Sequence, residues 1–289
     1  MVEIVCLQKG NQCASLYCLP TASGSVSSYL DLAAALAPDH AVYGVRISGR
    51  AQTEGLKRFT SVREMAETIA PELIAHHGGG PISLVGYSFG GHLALDLALQ
   101  LERRGRPVSL LAIIDTMPSR MSFTRGFRMR HFLRYVGPWM TNIATRFVSD
   151  PQHRADYVID SFRRLRRQYR SSDDKWFQDL PIQRKEFVWD NISHARTYRF
   201  EGRYRGTICL FRPTDVKYGS PFRTGQLPDF GWQHVTGADV RVMHIPGDHS
   251  SCLVGAQAVH LANELRREFK NCSVAEVVVT EETKRQAVT

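Results

Sequence analysis

The chain has 289 residues, 43% apolar and 22% charged, with 37 Lys+Arg against 28 Asp+Glu for a net charge of +9. That length suits one large α/β domain or two small ones, with ample chain for a sizeable core, and no collagen-like, low-complexity or repeated tract is present. With no basic-then-apolar leader and no run of about 18 apolar residues, a cytoplasmic chain without a spanning helix is expected. The six cysteines (Cys6, Cys13, Cys18, Cys209, Cys252, Cys272) show neither C-x-x-C nor zinc-like Cys/His spacing. They read as reduced, mostly buried thiols, and no metal site is expected.

Residues 1–14 are polar and weakly patterned, and read as a linker, an N-terminal extension or an added strand. The short apolar run Ser15–Pro20 stops at Thr21-Ala22-Ser23-Gly24-Ser25, a turn-rich segment. Tyr29, Leu30, Leu32, Ala33 and Leu36 recur at helical spacing, Val42–Ile47 reads as a strand, and Val62–His77 as a helix stopped by Gly78-Gly79-Gly80-Pro81. Strands are predicted at Ile82–Val85, Leu110–Ile114, Thr207–Phe211 and Val240–Ile245, with helices at Gly91–Leu101 and Ala256–Phe269. Short apolar strands alternating with amphipathic helices imply a mostly parallel, doubly wound sheet covered on both faces. The domain is expected over 15–275, with a flexible tail over 276–289.

An insertion over 117–206 breaks this alternation. It holds 19 Lys/Arg and 9 Asp/Glu, a net of +10, while the rest of the chain holds 18 and 19, a net of −1. The whole excess charge therefore belongs to the insertion, including the cluster Arg163, Arg164, Arg166, Arg167 and Arg170. Without a nucleic-acid recognition motif, that charge reads either as a solvated helix face or as a docking surface for an acidic partner. The aromatics Phe132, Tyr135, Trp139, Trp176, Phe177 and Trp189 read as insertion core or as the lining of a pocket.

Gly86-Tyr87-Ser88-Phe89-Gly90 matches G-x-S-x-G. With glycine and serine each near about 7%, a chain this long yields on the order of 0.1 chance matches. The motif also follows a predicted strand and opens a predicted helix, the context that a nucleophile elbow needs. Such a turn raises the Ser88 hydroxyl above the sheet at a helix N-terminus, where N–H groups and the helix dipole favour negative charge. An alcohol needs a base, and the base an orienting carboxylate. His249, in Gly247-Asp248-His249-Ser250 after the last strand, is the candidate base. His244 falls inside a strand and reads as structural, and His76, His77, His92 and His194 have no triad-like placement. Two acids remain open on spacing: Asp115 at the end of one strand and Asp215 after the next. Asp248 is too near His249 in sequence to orient its far nitrogen. The oxyanion hole is expected to combine the N–H of Phe89 with one from the loop after the first strand, at Ala22.

Together, these residues resemble the type I thioesterase domains that end nonribosomal peptide synthetases and polyketide synthases, within the α/β-hydrolase superfamily. The likeness runs over roughly residues 15–270. It rests on Leu16–Pro20, Tyr43-Gly44-Val45, Gly86–Gly91, Leu110–Asp115, Tyr204–Arg212 and Pro246–His249. The resemblance implies an α/β-hydrolase fold with a helical lid formed by the insertion, and a Ser88–Asp115–His249 triad with Asp215 in reserve. In place of the family's glycine-rich loop with His-Pro, this chain has Pro20–Gly24. The implied reaction releases an acyl, peptidyl or polyketide chain from the phosphopantetheine arm of a carrier protein, in cis or in trans, by hydrolysis or cyclisation. No cofactor is expected in the domain itself. A stand-alone editing thioesterase, a carboxylesterase and a non-catalytic scaffold of the same fold are the alternatives.

Overall fold

The computed structural model describes residues 2–11, 15–47, 59–80, 82–149, 180, 182–215 and 224–286. Among them the strands are β1 (Val2–Gln8), β2 (Ser15–Cys18), β3 (Ala41–Ile47), β4 (Ile82–Tyr87), β5 (Val108–Ile114), β6 (Ile208–Pro213) and β7 (Val240–Ile245). The helices are α1 (Leu30–Leu36), α2 (Val62–His77), α3 (Phe89–Arg103), α4 (Arg125–Ser149), α5 (Ile182–Thr197), α6 (Trp232–Thr236) and α7 (Gly255–Gln286). All the strands join one sheet in the order β1-β3-β2-β4-β5-β6-β7. Only β1 runs antiparallel to its neighbour, with Val2 opposite Ile47. The other adjacent pairs are parallel.

The continuous apolar runs are explained by burial on both faces. Along β5, Leu111 and Ile113 enter the core against α2 and α3, while Leu110, Ala112 and Ile114 enter the one against α1 and α7. A strand with side-chain period two that is covered on both faces favours apolar residues at nearly every position, and the serines on β4 and β5, Ser83 and Ser109, pair with each other at 3.0 Å. Truncating Ile113, which is fully buried, to alanine costs about 2–5 kcal/mol. On the α2 side, Ser61 caps the helix by accepting from Glu64 N at 3.1 Å, and the Glu64 carboxylate accepts from Thr60 N at 2.8 Å. This near-reciprocal pair satisfies two amides at the helix start.

Both described chain ends are regular structure. Residues Val2–Gln8 take the strand reading, lying on the sheet edge with Val2 and Ile4 against one core and Val5 and Leu7 against the other. Half-burial of an edge strand tolerates Glu3 and Gln8, which is why the sequence pattern is weak. At the other end, helix α7 runs on to Gln286 where a flexible tail from residue 276 is expected. No glycine or proline stands between Ala256 and Gln286 to stop it. Among the described residues no helix is long and apolar enough to cross a membrane. Cys18, Cys209 and Cys252 are buried thiols, and Cys6 is exposed.

Of the insertion, α4 and α5 are described, whereas Arg163, Arg164, Arg166, Arg167, Arg170, Trp176 and Phe177 lie outside the described residues, as does the side chain of Trp139. Its two ends are tied together. Ser119 Oγ donates to Arg196 O at 2.7 Å, and Ser122 Oγ donates to Tyr198 O at 3.3 Å. Phe132, Tyr135 and Trp189 are each half-buried, and Tyr135 packs on the His131 ring at 4.6 Å.

Candidate active site

Ser88 lies between β4 and α3 with φ 56° and ψ −120°, a conformation that costs a non-glycine residue about 1–3 kcal/mol. The surroundings hold it there. A Cβ on Gly86 would stand 2.1 Å from Gly90 O, and one on Gly91 would stand 2.3 Å from Thr116 Oγ1. The glycines on either side of Phe89-Gly90 are therefore spatial necessities. Thr116 uses the close approach at Gly91 to donate its hydroxyl to Ser88 O at 2.8 Å, and Trp232 Nε1 in turn donates to Thr116 O at 2.8 Å. Ser88 N donates to Ile114 O at 3.2 Å, which ties the elbow to β5. The buried Tyr29 hydroxyl accepts from Tyr87 N and donates to Leu19 O, both at 2.8 Å.

His249 brings the elements together. Its Nδ1–H donates to Asp115 Oδ2 at 2.6 Å, and its Nε2 lies 3.1 Å from Ser88 Oγ. A carboxylate on Nδ1 fixes the tautomer in which Nε2 is the acceptor, facing the serine hydroxyl. Asp115 closes β5 with φ 42°, its N–H donating to Phe211 O at 2.9 Å, and its side chain is only 4% exposed. The His249 side chain is 53% exposed. Its loop is shaped by Asp248, whose Oδ1 accepts from Ser250 N, Ser250 Oγ, Ser251 N and Ser251 Oγ at 2.8–3.0 Å. Those donors, Ser251 first and then Ser250, hold the Asp248 carboxyl down at about 2. Tyr87 lies against the imidazole with ring centroids 4.9 Å apart, and its hydroxyl donates to His249 O. Burial, and then the nearby Cys252, Asp115 and Asp248, push the Tyr87 phenol above its ordinary range, so it stays a donor.

The reserve acid stands apart. Asp215 Oδ1 accepts from Thr214 Oγ1 at 3.1 Å. Its part in the His249 loop is made by the backbone, Asp215 N donating to Gly247 O at 3.0 Å. Asp115 directly follows β5 and is buried, whereas Asp215 stands two residues beyond the end of β6 and is exposed. Phe89 is the first residue of α3, and its N–H is one of the helix-start amides with no intrahelical acceptor. Ala22 lies in the turn after β2, which approaches the elbow closely enough that a Cβ on Gly90 would be 3.0 Å from Pro20 O. The remaining histidines are elsewhere. His76 and His77 meet Tyr17, His194 Nε2 donates to Phe59 O, and His244 is exposed on β7. His92 is buried on α3, and that burial lowers it to about 4. Sequence reasoning missed Tyr29, Tyr87, Thr116 and Trp232. Tyr29 alone left a signal, a hydroxyl-bearing aromatic within an otherwise apolar helical stripe.

The chain matches the Thioesterase domain family over residues 14–269. Among curated proteins it is 34% identical to the microperfuranone synthase of Emericella nidulans over 42% of this chain and 13% of that protein. It is 31% identical to the dimodular nonribosomal peptide synthase of Bacillus subtilis, over 36% of this chain and 4% of that protein. The chain thus spans a small part of the length of these relatives. The NocB thioesterase domain, solved in covalent complex with a fluorophosphonate nocardicin G analog, superposes with a TM-score of 0.60 at 21% identity, over 93% of this chain and 99% of that one. At that identity the likeness concerns the fold, a mostly parallel α/β-hydrolase sheet with helices on both faces. With nearly the whole sheet and both covering layers inside the matched span, the chain belongs to the thioesterase domain family.

Proposed function

We propose that the chain releases an acyl, peptidyl or polyketide group from the phosphopantetheine thioester of a carrier protein, through an acyl-serine intermediate. The observation that carries this reading is the unbroken path from Asp115 through His249 to Ser88 at the start of α3. His249 Nε2 takes the Ser88 proton as Oγ attacks the thioester carbonyl, and Asp115 stabilises the imidazolium. Negative charge builds on the carbonyl oxygen, where the N–H groups of Phe89 and Ala22 receive it. The C–S bond then breaks, His249 returns the proton to the departing pantetheine thiolate, and the acyl group remains on Ser88. Water, or a nucleophile within the chain being released, gives its proton to His249 and attacks the ester; the bond to Ser88 Oγ breaks, His249 returns the proton to Oγ, and a free acid or a ring leaves. Family membership and the synthetases among its relatives support a carrier as the partner.

Incubation with acyl-pantetheine thioesters, followed by mass spectrometry of the enzyme and product, tests the reading. An acyl adduct on Ser88 that is absent from Ser88→Ala is expected. Rapid turnover of simple oxygen esters without release from pantetheine thioesters would overturn it in favour of a carboxylesterase.

A further inference from the structure

Helix α5 is the last part of the insertion, yet it is fastened to the loop after β2. Phe187 and Asn191 are each 2% exposed, a turn apart on the same helix face. Phe187 packs on Gly24, so closely that a Cβ there would be 3.0 Å from Phe187 Cε1. Asn191 Nδ2 donates to Ala22 O at 2.8 Å. One turn further on, His194 Nε2 donates to Phe59 O at 2.7 Å. The three contacts follow one face at i, i+4 and i+7, the spacing of a helix seated along a groove.

The Asn191 contact falls on one of two peptide planes that flank Ala22. Thr21 O accepts from Gly24 N at 2.9 Å. That plane also carries the Ala22 N–H, which in a trans peptide points away from Thr21 O. The next plane carries Ala22 O, the acceptor of Asn191. With both planes held, the direction of the Ala22 N–H is set before any substrate arrives, as preorganised stabilisation of an oxyanion requires.

We infer that Asn191 is a positioning residue that fixes the second oxyanion donor from the insertion side, making α5 a built-in wall of the reaction centre. The inference rests on the proposed roles of Ser88 and of the Ala22 N–H. The loop Thr21-Ala22-Ser23-Gly24 is held from outside by the buried Asn191 amide.

The test uses the full chain with Asn191→Ala and the isosteric Asn191→Leu. Each is expected to slow phosphonylation of Ser88 by a fluorophosphonate about tenfold or more, part of the 10²–10³-fold that loss of an oxyanion donor costs. Inhibition by an acyl trifluoromethyl ketone, which forms a tetrahedral oxyanion on Ser88, is expected to weaken by the same factor. Binding of an acyl-pantetheine thioester to the Ser88→Ala background is expected to stay unchanged on adding either substitution. A purely structural role would weaken ground-state binding as much as reactivity, and that result overturns the inference. So do rates within twofold of wild type. If the wild-type chain itself takes no fluorophosphonate on Ser88, the serine reading fails instead. Hydrogen exchange on the wild-type chain needs no variant: segments 20–25 and 187–194 are expected to open together, and a much faster loop overturns the coupling.

Discussion

Ser88 and His249 stand 3.1 Å apart but are held in place by different means. The serine side is set by the interior. Glycines admit no Cβ, Thr116 and Tyr29 bond backbone groups from buried positions, and β5 accepts the Ser88 amide. The histidine side is set at the surface, by the exposed Asp248 and its two serines, by the Tyr87 ring and by the single buried carboxylate of Asp115. An element fixed by packing cannot be disturbed without disturbing the fold, whereas one fixed by exposed polar contacts can lose its geometry while the fold survives. Damage to the serine side should therefore lower stability and turnover together. On the histidine side it should lower turnover alone.

The largest expected effect is at Asp115→Asn, which keeps the shape but leaves His249 in the wrong tautomer. Turnover is expected to fall about 10⁴-fold with thermal unfolding little changed, and a large drop in Tm would place Asp115 with the packing-fixed group. Next comes Gly86→Ala, whose methyl meets Gly90 O. A cost of about 3 kcal/mol, at about 2–4 °C per kcal/mol for a chain of this size, lowers Tm by about 6–12 °C, and turnover falls with it. A variant that keeps wild-type Tm while losing activity would break the distinction. Asp248→Ala is expected to reduce kcat about tenfold, with Tm within about 2 °C of wild type, since the group is exposed.

The smallest effect is a pH dependence. The folded value of about 2 for Asp248 lies below its ordinary 3.8, so the unfolded chain binds that proton more tightly. Its contribution to stability is complete above about pH 4 and is lost as pH falls through about 2. The Tm difference between wild type and Asp248→Asn should accordingly narrow between pH 5 and pH 2. A difference that stays constant would show that the Ser250 and Ser251 bonds do not favour the charged carboxylate.

What the sequence reveals of this molecule follows the same division. Strands buried on both faces print themselves as unbroken apolar runs, and β5 and the strand before Ser88 are legible for that reason. The elbow is legible because its steric demands fall on glycines, which sequence displays directly. Spacing leaves Asp115 and Asp215 open, since both lie just after neighbouring strands and spacing does not show which is buried; the family resemblance favours Asp115, the carboxylate found on His249. Edge strand β1 is hidden by half-burial, which lets Glu3 and Gln8 share it with Val2 and Ile4. Thr116 and Asn191 are hidden because each bonds a backbone atom distant in sequence, and the partner's identity imposes no residue type.

Tyr29 has a consequence for how such a site could be retuned. Its hydroxyl touches the carbonyl that begins the loop of Ala22 and the amide that precedes Ser88. One buried oxygen therefore bridges the two segments, within 2.8 Å of each. Shortening Tyr29 to phenylalanine would leave a buried donor and a buried acceptor without partners, each costing about 1–3 kcal/mol. The join between that loop and the elbow is thereby made from beneath by a side chain with no exposed surface, so a substitution there changes both segments at once.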